Sequence, residues 1–280
     1  IKNILKKKKI PILILSSLGN SNMDPILKAL RFGAVDYLNK PDKNKSKIRE
    51  ISIEIIKKVR SVTKSNINPI PRNHSTIKLN HGCHTFSATL DYDVIAIGAS
   101  TGGPTAIERI ISQLPENLPV PVIVAQHMPS SFVPSFSKRL NKLTPLDVTM
   151  GKKGDLLLPG KVIIVSGSEN SIVRRNDAGQ VEIDYVTHKF KAFNHPSINA
   201  IMSSVSEVYG ERSIAAILTG MGKDGADGLQ EVYNSGGYTI GQNKETSVVY
   251  GMPREVAERG VIKQSVSIYE MAGFIVSCLS

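Results

Sequence analysis

The sequence predicts an α/β protein: a doubly wound, mainly parallel sheet with an antiparallel hairpin insertion, preceded by a smaller α/β segment. Three observations predict it. Apolar runs at 94–97, 120–125, 163–165 and 214–218 are separated mostly by helical periodicities, and strands alternating with helices argue for a parallel sheet covered on both faces. The stretch 156–187 departs from that rhythm. Pro159-Gly160 and residues 176–179 are turn signals between short β-rich runs, which reads as an inserted antiparallel hairpin. Ahead of both, residues 1–60 show the order strand, helix, strand, helix, and then periodicity stops.

Taken in order, residues 11–17 (PILILSS) read as a short buried strand and 25–32 as a helix stopped by Gly33. Residues 34–38 form a second strand that runs into Lys40-Pro41. Ile48, Ile51, Ile55, Val59 and Val62 then recur at helical spacing. From 61 to 90, Asn, Ser, Thr, His and Pro dominate, including Asn68-Pro69 and Ile70-Pro71, the composition of a linker. The larger unit spans 91–280. Two of its helices show in the spacing of Ile107, Ile110, Ile111 and Leu114, and of Ile198, Ile201, Met202, Val205, Val208 and Tyr209.

Composition removes several function classes. No apolar run reaches the roughly 18–20 residues of a membrane span, and no signal-peptide core follows the lysine-rich start, so a soluble, cytoplasmic protein without membrane insertion is expected. The formal charge of +11 is confined to one end: residues 1–90 carry 18 Lys+Arg against 5 Asp+Glu, and residues 91–280 carry 17 against 19. The lysines at 6–9 have no interleaved aromatics, which reads as a solvated face rather than a nucleic-acid surface. Cys83 and Cys278 cannot make a disulfide scaffold, and there is no CxxC pair. His81, Cys83 and His84 are possible metal ligands, but they sit in the linker without a second cluster, so no metal is expected.

Residues 91–100 (DYDVIAIGAS) form a strand ending in a glycine-rich turn, and TGGPTAIERI opens a helix. A dinucleotide fold needs G-x-G-x-x-G there, because its second glycine lets the backbone meet a pyrophosphate. That position is Ser100. Gly98, Ser100 and Gly102 instead fit G-x-S-x-G, which exposes a serine hydroxyl on a sharp strand-to-helix turn. Alone the pattern is weak, since a serine before a helix is often a cap. Two other strands end at His127 and, through Gly220-Met221-Gly222, at Asp224. A parallel sheet brings such ends to one edge, where Ser100, His127 and Asp224 have the residue types of a nucleophile, a base and its orienting acid. Asp227 is a rival acid. The glycines around Met221 allow close backbone approach, so its N–H is a candidate oxyanion donor. The order Ser, His, Asp and the elbow on the unit's first strand both disfavour an α/β-hydrolase. Gln242, Asn243 and Glu245 follow a later strand and either border the cleft or, the preferred reading, are solvated loop residues; His74 and His188 carry no signal.

IGASTGGP at 97–104, AQHMP at 125–129 and ILTGMGKDGADG at 217–228 resemble the chemotaxis protein-glutamate methylesterases, the CheB family of response regulators. GDLLLPGKVIIV at 154–165, HPSIN at 195–199 and GMPREVAERG at 251–260 extend the likeness over residues 91–280. The resemblance implies a cofactor-free hydrolase that demethylates glutamate esters, and can deamidate glutamines, on the cytoplasmic helices of chemoreceptors. It puts the family's catalytic residues on Ser100, His127 and Asp224, with Thr101 and the Met221 amide in support. Within residues 1–60, residues 11–41 resemble the second half of a receiver domain, PILILSS and GAVDYLNKP matching its fourth and fifth strands, with Ser16 at the switch hydroxyl and Lys40 at the phosphate-contacting lysine. The first half, with its phosphoacceptor aspartate, is absent from this chain, so acetyl phosphate is expected to leave activity unchanged. At His195 the family commonly has arginine. A dinucleotide-binding module and a non-catalytic regulator remain the alternatives.

Overall fold

The structure, a computed structural model, describes residues 1–16, 24–40, 45–63, 85–87, 89–167, 170–186 and 196–280. Its N-terminal part comprises α1 (Lys2–Lys7), β1 (Leu13–Ser16), α2 (Asp24–Arg31), β2 (Asp36–Asn39) and α3 (Lys45–Thr63). β1 and β2 pair in parallel, from Leu13 opposite Asp36 to Ser16 opposite Asn39. β1 lies within the run 11–17 that announces it, and β2 is displaced toward the C-terminus relative to 34–38. The turn α1 is unannounced in the sequence; Ile1 packs on the core and Lys2 Nζ lies 4.2 Å from the centre of the Phe32 ring.

The larger unit contains β3 (Val94–Ala99), α4 (Gly103–Ile111), β4 (Val122–Gln126), α5 (Val133–Asn141), β5 (Asp147–Met150), β6 (Lys161–Ile164), β7 (Asn170–Arg175) and β8 (Val181–Val186). It continues with α6 (Ile198–Tyr209), β9 (Ser213–Ile217), α7 (Ala226–Asn234), β10 (Tyr238–Gln242), α8 (Met252–Glu258), β11 (Gln264–Val266) and α9 (Met271–Ser277). Seven strands make one sheet in the order β11-β10-β9-β3-β4-β6-β5, and every pairing in it is parallel. β7 and β8 form the separate antiparallel hairpin, paired from Asn170–Val186 to Arg175–Val181. The turn-rich stretch 156–187 is therefore divided. Pro159-Gly160 leads into β6 of the main sheet, residues 170–186 form the hairpin, and Leu156 adds an antiparallel bridge to Glu182 of β8.

The sheet is apolar on both faces, as continuous runs such as VIAIGA require. Ile95, Ile97 and Ala99 of β3 point to a core shared with α4, α5, α9 and α2, while Val94 and Ala96 point to one shared with α6, α7, α8 and the hairpin. The two outer strands, β5 and β11, escape the sequence pattern because an edge strand needs no such run: β5 has one buried residue in four and β11 has three residues, two of them exposed.

From β3 the chain steps to β4, crosses to the edge strand β5, comes back to β6 between β4 and β5, and later lays β9 against the other side of β3. The order reverses there, and the carboxyl ends of β3, β4 and β9 border one crevice.

Candidate active site

Ser100 follows the last residue of β3, and its amide donates to Thr219 O at 3.1 Å. The turn after it is tight for stated reasons. Gly102 has φ +80°, a region L side chains avoid, and a Cβ there would lie 2.7 Å from Val248 Cβ. Gly98 faces Ile198 so closely that a Cβ would overlap its methyl group. His127 follows β4, its amide donating to Ala99 O at 3.0 Å. Asp224 lies in the turn between β9 and α7, which passes through Gly225 at φ +93°.

These three side chains form one line. Ser100 Oγ is 3.1 Å from His127 Nδ1, and His127 Nε2 is 2.7 Å from Asp224 Oδ2. A carboxylate only accepts, so Nε2 carries the proton and Nδ1 presents its lone pair to the serine hydroxyl. Asp224 is held by the first turn of α6: Ile198 N donates to Oδ2 at 2.9 Å and Asn199 N to Oδ1 at 3.0 Å, with Gly225 N also on Oδ1 at 3.0 Å. Ser197 caps the same helix by accepting from Ala200 N. Burial alone would push the Asp224 carboxyl up. The His127 hydrogen bond and charge and the two α6 amides outweigh it, and the group lies below the usual carboxylate range. A helix N-terminus and an imidazole thus share one anion.

Gly220, whose Cβ would lie 2.8 Å from Ser100 Cβ, directs its carbonyl at the start of α8, where Gly251 N and Met252 N both donate to it. Carbonyl and N–H lie on opposite sides of a trans peptide, so the Met221 N–H points away from α8. Thr101 is 3% exposed. Its hydroxyl donates to Asp36 Oδ2 at 2.7 Å, and its carbonyl accepts from Thr219 Oγ1 at 2.9 Å. Asp36, in β2, also pairs with Lys58 Nζ of α3 at 2.9 Å. Val35 and Val62 pack with Val249, against which Met221 also lies. The N-terminal segment therefore touches residues beside the serine and beside Met221.

Other expectations separate here. Asp227 pairs with Arg259 at 2.7 Å on the outside of α7 and does not reach His127. Gln242 is no solvated loop residue: it ends β10, is 1% exposed, accepts from Thr219 N and donates to Thr246 O. Asn243 is tied into the turn through Thr246, and Glu245 is exposed. His74, His81, Cys83, His84, His188 and His195 lie outside the described residues. Among the described residues no group of His, Cys, Asp or Glu could hold a metal, and no helix is long and apolar enough to cross a membrane. Nothing in the sequence reading singles out Asp36, Gln126 or Thr219, and it places Gln242 in solvent. The two glutamines had a signal, since a polar side chain inside an apolar strand run must find partners.

A family model described as CheB methylesterase matches residues 95–275. The protein-glutamate methylesterase/protein-glutamine glutaminase 2 of Carboxydothermus hydrogenoformans is 37% identical over 283 residues, covering 99% of this chain and 80% of that protein. The protein-glutamate methylesterase/protein-glutamine glutaminase of Archaeoglobus fulgidus is 34% identical over 280 residues, covering 100% of this chain and 80% of that protein. The crystal structure of the Thermotoga maritima CheB methylesterase catalytic domain superposes with a TM-score of 0.64 at 34% identity, covering 66% of this chain and 98% of that one.

Proposed function

We propose that this chain, which belongs to the CheB methylesterase family, hydrolyses glutamate γ-methyl esters on the cytoplasmic parts of methyl-accepting chemoreceptors and deamidates glutamines at such sites. Ser100 Oγ attacks the γ-carbonyl carbon while His127 Nδ1 takes its proton, and the imidazolium so formed is stabilised by Asp224 across the 2.7 Å bond to Nε2. The Met221 N–H is assigned to the oxyanion of the tetrahedral intermediate. His127 then returns the proton to the departing methanol, or to ammonia from a glutamine. A water molecule, deprotonated by His127, splits the acyl-serine to release the glutamate carboxylate. Thr101 supports the turn that carries Ser100, through the Thr219 hydroxyl on its carbonyl.

The observation that carries this reading is the unbroken line from Ser100 through His127 to an Asp224 already charged and fixed by a helix N-terminus. The same line disfavours a dinucleotide site, since the residue at the second glycine position is engaged with an imidazole. The test is methanol release from methylated receptor membranes by the chain and by Ser100→Ala. Release by the chain and none by the variant is expected. Undiminished release by Ser100→Ala would remove the serine mechanism.

A further inference from the structure

Gln126, the last residue of β4, is 2% exposed and lies beneath the proposed nucleophile and base without facing the crevice. Its Nε2 donates to two carbonyls at once, Ser100 O at 3.0 Å and His127 O at 2.9 Å. A primary amide has two donors and both are used here. The opposite orientation would set a carbonyl oxygen against two others, so the pair of acceptors fixes which way the amide points. Its Oε1 is consequently turned toward Gly103, where a Cβ would overlap it, and has no hydrogen-bond partner among the described residues.

An orphaned buried acceptor is costly, and a smaller apolar residue would avoid it. What the amide supplies instead is a bridge between two turns from different strands. β3 and β4 stay in register through Ala99 opposite Gln126, and both strands end there. Ser100 and His127 then have no ladder bond between them except the His127 N to Ala99 O bond at the boundary. Among the described residues, the remaining link between their backbones is the Gln126 amide.

We infer that Gln126 is a positioning residue of the esterase, setting the distance from Ser100 Oγ to His127 Nδ1 by tying the two backbones together, and that Gly103 is glycine because the amide occupies the place of its side chain. The inference rests on Ser100 and His127 acting as nucleophile and base. Gln126 is buried away from substrate, so its effect falls on the chemical step and not on binding.

The experiment measures methanol release by wild type, Gln126→Met, Gly103→Ala and Ser100→Ala, with active sites counted by a fluorophosphonate that labels the reactive serine. Gln126→Met keeps the length and volume while removing both donors. A displacement of about 1 Å at a reacting centre costs about 10²-fold, so kcat per labelled site should fall by about that much with KM unchanged. Gly103→Ala should give the same split, and the two together should be less than additive. A Gln126→Met enzyme that is folded and retains wild-type kcat overturns the inference, as does an unchanged kcat with a raised KM. Ser100→Ala separates this from failure of the serine mechanism itself: activity surviving in that variant sinks the mechanism, whereas its loss beside an intact Gln126→Met sinks only the bridge. Should neither substituted protein fold, hydrogen exchange of the Gln126 Nε2 protons in the 15N-labelled native enzyme decides. Strong protection of both protons is expected, and exchange at the rate of an exposed amide overturns the bridge.

Discussion

Each oxygen of Asp224 accepts two hydrogen bonds, Oδ2 from His127 and Ile198, Oδ1 from Asn199 and Gly225. Asp224→Asn replaces one of those acceptors by an NH2, so donors face donors whichever way the amide turns. Two effects are expected together: a stability loss of about 1–3 kcal/mol from the unmade bonds, and a fall in kcat of about 10⁴-fold, milder than the roughly 10⁶-fold expected for Ser100→Ala. Chemical denaturation and methanol release measure them separately. The acid side of the stability curve follows from the same group. Its folded pKa is depressed, so its contribution is fully present above the unfolded value of about 3.9 and is lost as pH falls through the lower folded one. Wild type and Asp224→Asn should therefore converge in stability as pH drops below about 4; a difference that persists at the acid end would mean the carboxylate's charge is not what α6 senses. At this scale Ser100, His127 and Asp224 were legible because each ends or closely follows an apolar run. Asp36 was not, since nothing local marks a residue of one segment as the acceptor for a hydroxyl 65 positions away.

The helix that secures Asp224 is itself placed by a glycine. Ile198, whose amide serves the carboxylate, packs its side chain into the space that Gly98 and Gly225 leave open. Gly98→Ala should push the first turn of α6 outward. Overpacking of this kind costs about 1–3 kcal/mol, a melting-temperature drop of about 2–12 °C in a unit of this size, and kcat should fall with it because the amides leave Asp224. Scanning calorimetry with parallel kinetics checks the pair; a lower melting temperature with untouched kcat would uncouple α6 from the acid. Helices and central strands were readable because burial on one stripe or on two faces writes a period or a run into the sequence. β5 and β11 carry neither, being bonded on one side only, and α1 is a single lysine-rich turn held by Ile1 and Lys2.

Across the molecule, the N-terminal segment lies against the crevice. Tyr37 packs against Phe132 with tilted rings 4.9 Å apart, Asp36 holds the Thr101 hydroxyl, and Val62 meets Val249. A chain lacking residues 1–85 should release methanol from receptor membranes at least as fast as the whole chain, because what it loses stands beside the site and contributes nothing to the Ser100, His127 and Asp224 line. A collapse of activity, with folding intact by circular dichroism, would make the segment part of the working site. The placement of β9 has a further consequence, which concerns time. The central strand β3 has β4 on one side within thirty residues, yet the strand that closes its other side begins 119 positions after Val94. At a synthesis rate of about 5–20 residues per second, the middle of the sheet waits about 6–25 s with one ladder unpaired. Over that interval Ile95 and Ile97 sit beside an open edge, and Asp224, which follows β9, has not yet left the ribosome. Nascent chains arrested before residue 213 should therefore be captured by chaperones and remain inert to a fluorophosphonate, whereas chains released beyond β10 should label. The reactive serine would then report, in a cell extract, the moment at which the last neighbour of β3 arrives.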